Sequence, residues 1–179
     1  MRKILITGSE GFVGKNLQVQ LRRRGDIEII PFDKEHSFDY LKESVDKAEF
    51  IFHLAGENRP KDPADFMKVN KGLTETLTEL VADTGRKIPI AYTSSIQAEL
   101  DNEYGKSKKA AEDALIEYSK STGSPVCIFR FPNLFGKWSR PNYNSVVSTF
   151  CYNISHDLDI TISDEKRELE LTYIDDVVN

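Results

Sequence analysis

The chain is poor in the residues that would assign it to several protein classes. Its 179 residues include only two cysteines, three histidines and one tryptophan. Cys127 and Cys151 are too few for a disulfide framework, which favours a reducing compartment. The three histidines show no metal-ligand spacing, so the sequence predicts no metal site.

Long apolar runs and basic runs are also missing. No stretch could span a membrane, and the apolar run that begins at Ile4 is too short for a signal peptide. The net charge is −5, and no basic face is visible, so a nucleic-acid partner is not expected. These absences fit a cytoplasmic protein that binds neither membrane nor nucleic acid.

What the chain does contain is a regular alternation of strand-like and helix-like segments. Short apolar runs predict the strands, and apolar residues at helical spacing, such as Val13, Leu17 and Leu21, predict the helices. This alternation favours an α/β fold, a Rossmann-like doubly wound parallel sheet with helices on both faces. The predicted strands are 4–6, 27–32, 50–54, 88–92 and 126–131, and the predicted helices begin near residues 12, 40, 63, 104 and 144.

A glycine-rich turn follows the first predicted strand directly and opens a helix. Gly8, Gly11 and Gly14 form a G-x-x-G-x-x-G run, with Phe12 and Val13 inside it. The first glycine would make the tight turn, the second would let the backbone approach a pyrophosphate, and the third would let helix pack on strand. The helix N-terminus would then face the phosphates of a dinucleotide.

An acidic residue ends the second predicted strand. Asp33 stands where a carboxylate would bind the adenosine ribose hydroxyls, although a solvated loop carboxylate is the alternative. Asp33 and Glu10 would both repel a 2′-phosphate, which favours NADH over NADPH, whereas Lys34 weakens that preference.

The third predicted strand ends in His53, Leu54, Ala55 and Gly56. Its small residues suit a backbone that lies against the cofactor. A lone histidine at this place is more often a packing residue than a ligand, and we interpret His53 in that way.

Tyr104 and Lys108 form a Y-x-x-x-K pair on a predicted helix. Residues four apart share one helix face, so the hydroxyl and the ammonium can act on the same small volume. A phenol with a pKa of about 10 needs a nearby cation to work as an acid–base group at neutral pH. Lys106 and Lys109 are alternatives, but neither is four residues from the tyrosine.

Hydroxyl residues end the fourth predicted strand. In an open parallel sheet, ligands bind beyond the carboxyl ends of the strands, so a hydroxyl there can hydrogen-bond a substrate carbonyl. We favour Ser95 over Ser94 as the catalytic hydroxyl; the alternative is that these residues only cap the following helix.

Together the glycine loop, Ser95 and the Tyr104/Lys108 pair resemble the short-chain dehydrogenase/reductase superfamily. The glycine spacing and the late segment 173–177 resemble its extended branch, the nucleotide-sugar epimerases, dehydratases and reductases. The resemblance implies a structural or water-ordering role for Asn70. It also implies that Pro132 lies against the nicotinamide and that Asn133 contacts the sugar nucleotide.

Several longer stretches resemble the capsular-polysaccharide reductases of the UDP-N-acetyl-L-fucosamine pathway. These stretches are 94–98, 101–105 and 133–152, and the short gap from Ser95 to Tyr104 fits the same group. The resemblance implies reduction of the C4 ketone of a UDP-linked 2-acetamido-2,6-dideoxy sugar, with NADPH as the usual cofactor. It also implies that residues 1–179 are the dinucleotide-binding domain and the start of the substrate lobe. The rest of that lobe and a cupin-like domain would follow.

The same resemblance implies roles for individual side chains. Tyr104 would protonate the ketone oxygen, Ser95 would hydrogen-bond it, and Lys108 would lower the pKa of Tyr104 and bind the nicotinamide ribose. An anionic UDP-sugar calls for cations and amide donors, although an ordinary polar loop is the alternative. The candidates for substrate binding are Ser94, Asn133, Lys137, Arg140, Asn142, Asn144 and, more weakly, Arg167.

Two other functions remain open at this point. A nucleotide-sugar epimerase with tightly bound NAD+ fits the same residues, whereas a dehydratase is disfavoured because Ile96 and Gln97 replace the expected Asp-Glu pair. A fragment that binds cofactor without catalysis is the third reading. The resemblance also implies a homodimer, because members of this family often pair two helices of each subunit. The helices that begin at Pro63 and Tyr104 would form the interface, unless their apolar faces pack against the sheet.

Overall fold

A five-stranded parallel sheet forms the centre of the molecule. The computed structural model describes residues 1–179, and the strand order in this sheet is β2-β1-β3-β4-β5. A separate parallel pair, β6 and β7, lies outside it. The strands are β1 (Arg2–Thr7), β2 (Ile27–Phe32), β3 (Phe50–His53), β4 (Ile90–Ser95), β5 (Val126–Phe131), β6 (Asn133–Phe135) and β7 (Leu171–Tyr173).

Helices connect the strands, and one of them is composite. A short α-helical piece leads into a π-helical segment, Met67–Gly72, which continues as a second α-helix. A 3₁₀ turn, Ile96–Glu99, follows β4 directly. The α-helices are α1 (Phe12–Arg22), α2 (Phe38–Lys47), α3 (Ala64–Phe66), α4 (Leu73–Asp83), α5 (Glu103–Thr122), α6 (Val146–Ser155) and α7 (Ile174–Val178).

The core lies on both faces of the sheet, as a doubly wound fold requires. Side chains alternate along β1: Leu5 belongs to a cluster with buried residues of α2, α4 and α5, whereas Ile4 and Ile6 pack with Leu17 and Leu21 of α1. Burying apolar side chains on both faces is the main stabilising contribution to such a domain. The apolar stripes of α4 and α5 therefore face the sheet.

The strand order places a topological switch point between β1 and β3. From β1 the chain moves to β2 on one side and then returns to β3 on the other, and Thr7 pairs with His53 at the carboxyl ends. Open α/β sheets bind ligands in the crevice at such a point. The glycine-rich turn after β1 lies at this crevice.

Most of the predicted elements are confirmed, and the differences have local causes. The first helical turn of α5 starts at Glu103 because Asn102 caps it, with its side chain accepting a hydrogen bond from the Gly105 N–H at 2.7 Å. Pro31 stays within β2, which is an edge strand, so its missing donor costs no ladder bond. The sequence did not predict β6, β7, α7 or the π-helical segment.

No helix is long and apolar enough to cross a lipid bilayer. No group of three or more histidine, cysteine or carboxylate side chains is positioned to hold a metal ion.

Candidate active site

The glycine-rich turn is shaped by two close backbone approaches. Gly8 has a φ of +70°, and a Cβ there would lie 2.7 Å from the Ala55 nitrogen. A Cβ on Gly14 would lie 2.3 Å from the Gly8 carbonyl oxygen. No side chain caps the N-terminus of α1 at Gly11, and its first turn holds no acidic residue. The N–H groups of this turn, which includes Phe12 and Val13, are therefore available to a dinucleotide pyrophosphate.

Asp33 lies against the glycine-rich turn. One of its carboxylate oxygens, Oδ2, accepts hydrogen bonds from the Ser9 hydroxyl and the Glu10 N–H, both at 2.7 Å. The other oxygen has no protein donor, so it remains available to a ribose hydroxyl. The carboxylate thus lies at the end of β2, where the sequence predicts a group that binds the adenosine ribose.

His53 is a packing residue whose two ring nitrogens are both used. Thr7 Oγ1 accepts from the Ala55 N–H at 3.2 Å and lies 2.7 Å from His53 Nδ1, so the threonine donates to the ring. His53 Nε2 then carries the proton and donates to Thr74 Oγ1 at 2.9 Å. Burial and the charge of Lys108 lower the pKa of His53 to about 3. The imidazole is therefore neutral.

Asn70 holds the chain segment that follows β3. Its Oδ1 accepts from the Glu57 N–H at 2.8 Å, and its Nδ2 donates to the Glu57 carbonyl at 3.1 Å and to Ser107 Oγ at 2.9 Å. Asn70 belongs to the π-helical segment, a geometry that recurs at functional sites. Gly56 passes close by: a Cβ there would lie 3.0 Å from Asn70 Oδ1 and 3.6 Å from Lys108 Nζ. Leu54, Ala55 and Gly56 thus follow β3 in a segment where, at Gly56, there is little room for a side chain.

Tyr104 and Ser95 meet beyond the end of β4. Ser95 Oγ accepts from the Gln97 N–H at 3.1 Å, so the serine caps the 3₁₀ turn and keeps its own proton for another acceptor. Burial raises the pKa of Tyr104, a hydrogen bond with Ser95 lowers it, and the nearby phenol of Tyr143 raises it further. The net shift is upward, so Tyr104 is a protonated phenol at neutral pH.

Lys108 is buried and lies one helical turn after Tyr104 on α5. Its Nζ donates to the Thr93 carbonyl at 2.7 Å and lies 4.3 Å from the centroid of the Tyr92 ring. Burial lowers the pKa of Lys108 to about 7, and the charge of Glu112 offsets part of that shift. Burial of the phenol has the largest effect on the pKa of Tyr104, and the expectation that Lys108 lowers that pKa stays a prediction.

Ser94 points away from Ser95 and joins an ion pair behind the site. Its hydroxyl donates to Glu112 Oε1 at 2.5 Å, and Arg130 donates to both oxygens of the same carboxylate at 2.9 and 2.7 Å. A second carboxylate, that of Glu99, accepts from Arg130 at 2.6 Å. Successive residues of a strand face opposite sides, which explains why only one of the two serines faces Tyr104.

A cavity of about 300 Å³ opens next to Ser95. Pro132, Asn133 and Arg167 line it, so the structure brings these three predicted residues together with Ser95. Gln97 lines it too, and only its position two residues after Ser95 could have indicated this from the sequence.

The remaining predicted substrate residues lie on one loop after β6. Asn16 fixes this loop to α1, because its Nδ2 donates to the Lys137 carbonyl at 2.8 Å and to the Phe12 carbonyl at 2.9 Å. Lys137 Nζ lies 4.2 Å from the Trp138 ring centroid, so part of its charge is directed at its neighbour. The exposed residues of this loop include Lys137, Arg140, Asn142 and Asn144.

Two residues near this loop escaped the sequence analysis. The Tyr143 ring lies within 5.4 Å of the guanidinium carbons of both Arg59 and Arg140. Arg59 follows β3 and Tyr143 follows β6, so no local pattern relates them. Only the fold brings the two together.

A model of the NAD-dependent epimerase/dehydratase family matches residues 4–179 of the chain. The chain belongs to this family. Its Rossmann-like sheet, its glycine-rich turn and its Tyr104/Lys108 pair are thus those of a family member.

The chain is similar to a Pseudomonas aeruginosa UDP-2-acetamido-2,6-beta-L-arabino-hexul-4-ose reductase, with 56% identity over 176 residues. That match covers 98% of this chain and 47% of the reductase. A second relative, a GDP-6-deoxy-D-talose 4-dehydrogenase of Aggregatibacter actinomycetemcomitans, is 36% identical over 90 residues, which are 45% of this chain and 31% of that protein.

Among solved structures, the capsular polysaccharide assembling protein CapF of Staphylococcus aureus superposes with a TM-score of 0.87 at 43% identity. The match covers 98% of this chain and 47% of that one. A Bacillus cereus UDP-glucuronic acid 4-epimerase in complex with NAD also has a TM-score of 0.87, but at 19% identity it supports the fold alone; it covers 98% of this chain and 70% of its own. The chain spans about half the length of the reductase and of CapF.

Proposed function

We propose that the chain carries the cofactor site and the catalytic residues of a reductase. Its substrate would be the C4 ketone of a UDP-linked 2-acetamido-2,6-dideoxy sugar, used in capsular or surface polysaccharide biosynthesis. One observation carries the proposal: Tyr104 is hydrogen-bonded to Ser95, with Lys108 one helical turn further along α5, in a chain that is 56% identical to a UDP-2-acetamido-2,6-beta-L-arabino-hexul-4-ose reductase.

The protonation state of Tyr104 fits an acid better than a base. A bound reduced nicotinamide would supply the hydride. Tyr104 would give its proton to the ketone oxygen as negative charge develops there, because burial keeps the phenol protonated at neutral pH. Ser95 would turn its hydroxyl proton from Tyr104 to the same oxygen. An epimerase would first need the same residue as a base to oxidise its substrate.

Lys108 would bind the nicotinamide ribose and restore the proton of Tyr104. Its amine uses one donor on Thr93 and lies beside Gly56, which leaves room for ribose hydroxyls. A pKa of about 7 lets the amine gain or lose a proton near neutral pH.

For the cofactor, we propose NADH over NADPH. The Asp33 carboxylate is fixed by Ser9 and Glu10 and would place a negative charge beside a 2′-phosphate. Solved relatives include complexes with NAD and with NADPH, so the family does not decide the choice.

On the substrate side, Asn133 and Arg167 at the cavity next to Ser95 would contact the sugar nucleotide, and Pro132 would lie against the nicotinamide. Lys137, Arg140, Asn142 and Asn144 would add donors from the exposed loop. Ser94 would act only indirectly, because Glu112 already accepts its hydroxyl proton.

The test is a spectrophotometric assay with a UDP-linked 4-keto-6-deoxy-N-acetylamino sugar and NADH or NADPH in separate runs. Stoichiometric loss of reduced-nicotinamide absorbance is expected, and Tyr104→Phe should lower kcat by about 10²–10⁴-fold, the usual contribution of a general acid. Lys106→Met, an exposed lysine two residues on, is the matched control and should leave the rate unchanged. Binding of cofactor without its consumption would contradict the reductase and leave an epimerase or a cofactor-binding fragment.

A homodimer is a second proposal. The buried residues of α4 and α5 face the sheet, so a dimer would use their outer faces, where Ile116 is exposed. Light scattering coupled to size exclusion measures this directly: a monomer mass at micromolar concentration contradicts it.

A further inference from the structure

Two arginines from different loops share the ring of one tyrosine. The guanidinium carbon of Arg59 lies 5.4 Å from the Tyr143 ring centroid, and that of Arg140 lies 5.3 Å from it. Arginine over an aromatic face is a favourable contact that also leaves the guanidinium edge free to donate. The three side chains thus present two cations at one place, and we call them the arginine–tyrosine cluster.

Neither guanidinium of the cluster has an anionic partner in the protein. No salt bridge in the molecule involves Arg59 or Arg140. Glu57, on the same loop as Arg59, directs Oε1 to the backbone N–H groups of Asn58 and Arg59, both at 2.9 Å. Two like charges near one ring repel each other, and an anion between them would remove that cost. The cluster therefore has unused guanidinium donors, and the Glu57 carboxylate, which lies close enough to act on Tyr143, is not paired with either arginine.

The cluster stands beside the proposed proton donor. The Tyr143 phenol lies close enough to Tyr104 to disfavour ionisation of that residue. Arg59 follows β3 and Arg140 follows β6, and Asn16 ties the second loop to α1. An anion held by both arginines would thus bridge two loops at the carboxyl edge of the sheet.

Two diphosphates would meet at this edge, that of the dinucleotide and that of the nucleotide sugar. The glycine-rich turn and the uncapped start of α1 already provide donors for one of them. We propose that Arg59 and Arg140, assembled on the ring of Tyr143, bind the second diphosphate, that of the nucleotide-linked sugar. The identity of this ligand rests on the proposed function, whereas the anion site itself rests on the cluster.

Trp138 provides the measurement, because it is the sole tryptophan and lies on the same loop as Arg140. Its fluorescence is recorded while the full chain is titrated with UDP and, separately, with NADH. Arg59→Gln and Arg140→Gln should each raise the Kd for UDP by about tenfold, equal to about 1.4 kcal/mol. In the double variant the Kd for UDP should rise by less than the product of the two single-variant factors, because both arginines bind one group. The Kd for NADH should change by less than about twofold.

Control variants separate this site from general effects of charge. Arg24→Gln removes an exposed arginine that pairs with Asp26 at the far end of α1, and it should leave the UDP titration unchanged. Tyr143→Phe keeps the ring and should bind UDP as the wild type does, whereas Tyr143→Leu should weaken binding.

Three results would overturn the proposal. The first is no saturable response of the wild type to UDP, and the second is that Arg59→Gln and Arg140→Gln lose NADH binding and keep UDP binding. The third is that Arg167→Gln loses UDP binding while Arg59→Gln and Arg140→Gln keep it. Failure of the proposed function has a different signature. In that case UDP binding would depend on Arg59 and Arg140, but the keto-sugar would not consume NADH in a Tyr104-dependent way.

Discussion

The cofactor side and the substrate side of the candidate site are built in different ways. On the cofactor side, His53, Asn70 and Lys108 are buried, and each has protein partners for its polar atoms. On the substrate side, the predicted ligands after β6 lie mostly on exposed loop, and α6 contains no buried residue. From residue 131 to residue 179, only Ser145 and Ile174 are buried.

This difference shows which half of the site the core determines. A buried side chain with satisfied hydrogen bonds has one arrangement, because every alternative leaves a polar group unpaired. Exposed donors keep many arrangements until a ligand selects one. Within this chain the cofactor side is therefore preorganised, whereas the exposed donors after β6 are not.

The sharpest test of that preorganisation is Gly14→Ala. Its Cβ would lie 2.3 Å from the Gly8 oxygen and 2.6 Å from the Ser9 oxygen, so the turn must shift or α1 must move away from β1. We expect loss of NADH binding and a fall of about 1–3 kcal/mol or more in the free energy of unfolding. Isothermal calorimetry with NADH and urea denaturation measure the two effects.

Gly72→Ala is the matched control for this variant. Gly72 is helical, and its added Cβ would meet no atom within 4 Å, so the unfolding free energy should stay unchanged or rise by up to about 1 kcal/mol. Wild-type NADH affinity in Gly14→Ala would show that the turn is adaptable, and the contrast between the two sides would fail.

The next test concerns the charge of Lys108 within the core. Its pKa falls from 10.5 to about 7 on folding, so between these values the unfolded chain binds more protons than the folded one. The free energy of unfolding should then rise with pH across that window, by about 2–4 kcal/mol for this group. Lys108→Met should abolish the rise, which urea titrations at pH 6 to 10 would record.

Lys109→Met serves as the control, because Lys109 is a half-exposed neighbour paired with Asp113. It should keep the pH dependence of the wild type. An unchanged slope in Lys108→Met would show that the amine is solvated and that the cofactor side is looser than its burial indicates.

A smaller effect is expected at Glu112, the buried carboxylate behind the site. Burial raises the pKa of Glu112, but hydrogen bonds from Arg130 and Ser94 and the charges of Arg130 and Lys109 lower it, and the net shift is downward. Its stabilising contribution is thus complete above the unfolded value of 4.5 and is lost as pH falls below it.

Glu112→Gln should cost about 1–3 kcal/mol at neutral pH, because Arg130 loses its two-point contact with a buried carboxylate and keeps only the exposed Glu99, and should flatten the acid limb of the stability curve. Urea denaturation from pH 3 to 6 measures both. Glu117→Gln changes an exposed carboxylate on the same helix and should do neither. Equal curves for the two variants would mean that the ion pair adds nothing.

The sequence predicts the elements around the glycine-rich turn far better than those after β6. The physical reason is the separation along the chain of the residues that interact. A strand, a glycine turn and an amphipathic helix follow one another within residues 2–22, so local periodicity and backbone sterics predict them. The pairing of Asn133 with Leu171, by contrast, joins short strands that carry no period of their own. The contact of Arg59 with Tyr143 likewise depends on the finished fold.

Chemistry was harder to predict than position. The Tyr104/Lys108 pair was found from its spacing, but the direction of the tyrosine pKa depends on burial, which spacing does not give. The sequence alone did not show which of Ser94 and Ser95 faces Tyr104. The structure distinguishes them because Ser94 donates its hydroxyl proton to Glu112, a residue that belongs to no recognisable motif.

The smallest expected effect is at the outer edge of the cofactor side, where Asp33 is half-buried and faces solvent. Asp33→Asn keeps an oxygen to accept from Ser9 and Glu10, so the glycine-rich turn should hold its shape while the negative charge is lost. The ratio of kcat/KM for NADPH to that for NADH should then rise by about tenfold, or about 1.4 kcal/mol, because a 2′-phosphate no longer meets a carboxylate. Glu28→Gln on the same strand removes an exposed charge and should not move the ratio. If the ratio is unchanged in Asp33→Asn as well, Glu10 and Lys34 at the solvent edge determine the preference for the cofactor. The preorganised part of the cofactor side would then include the glycine-rich turn but not Asp33.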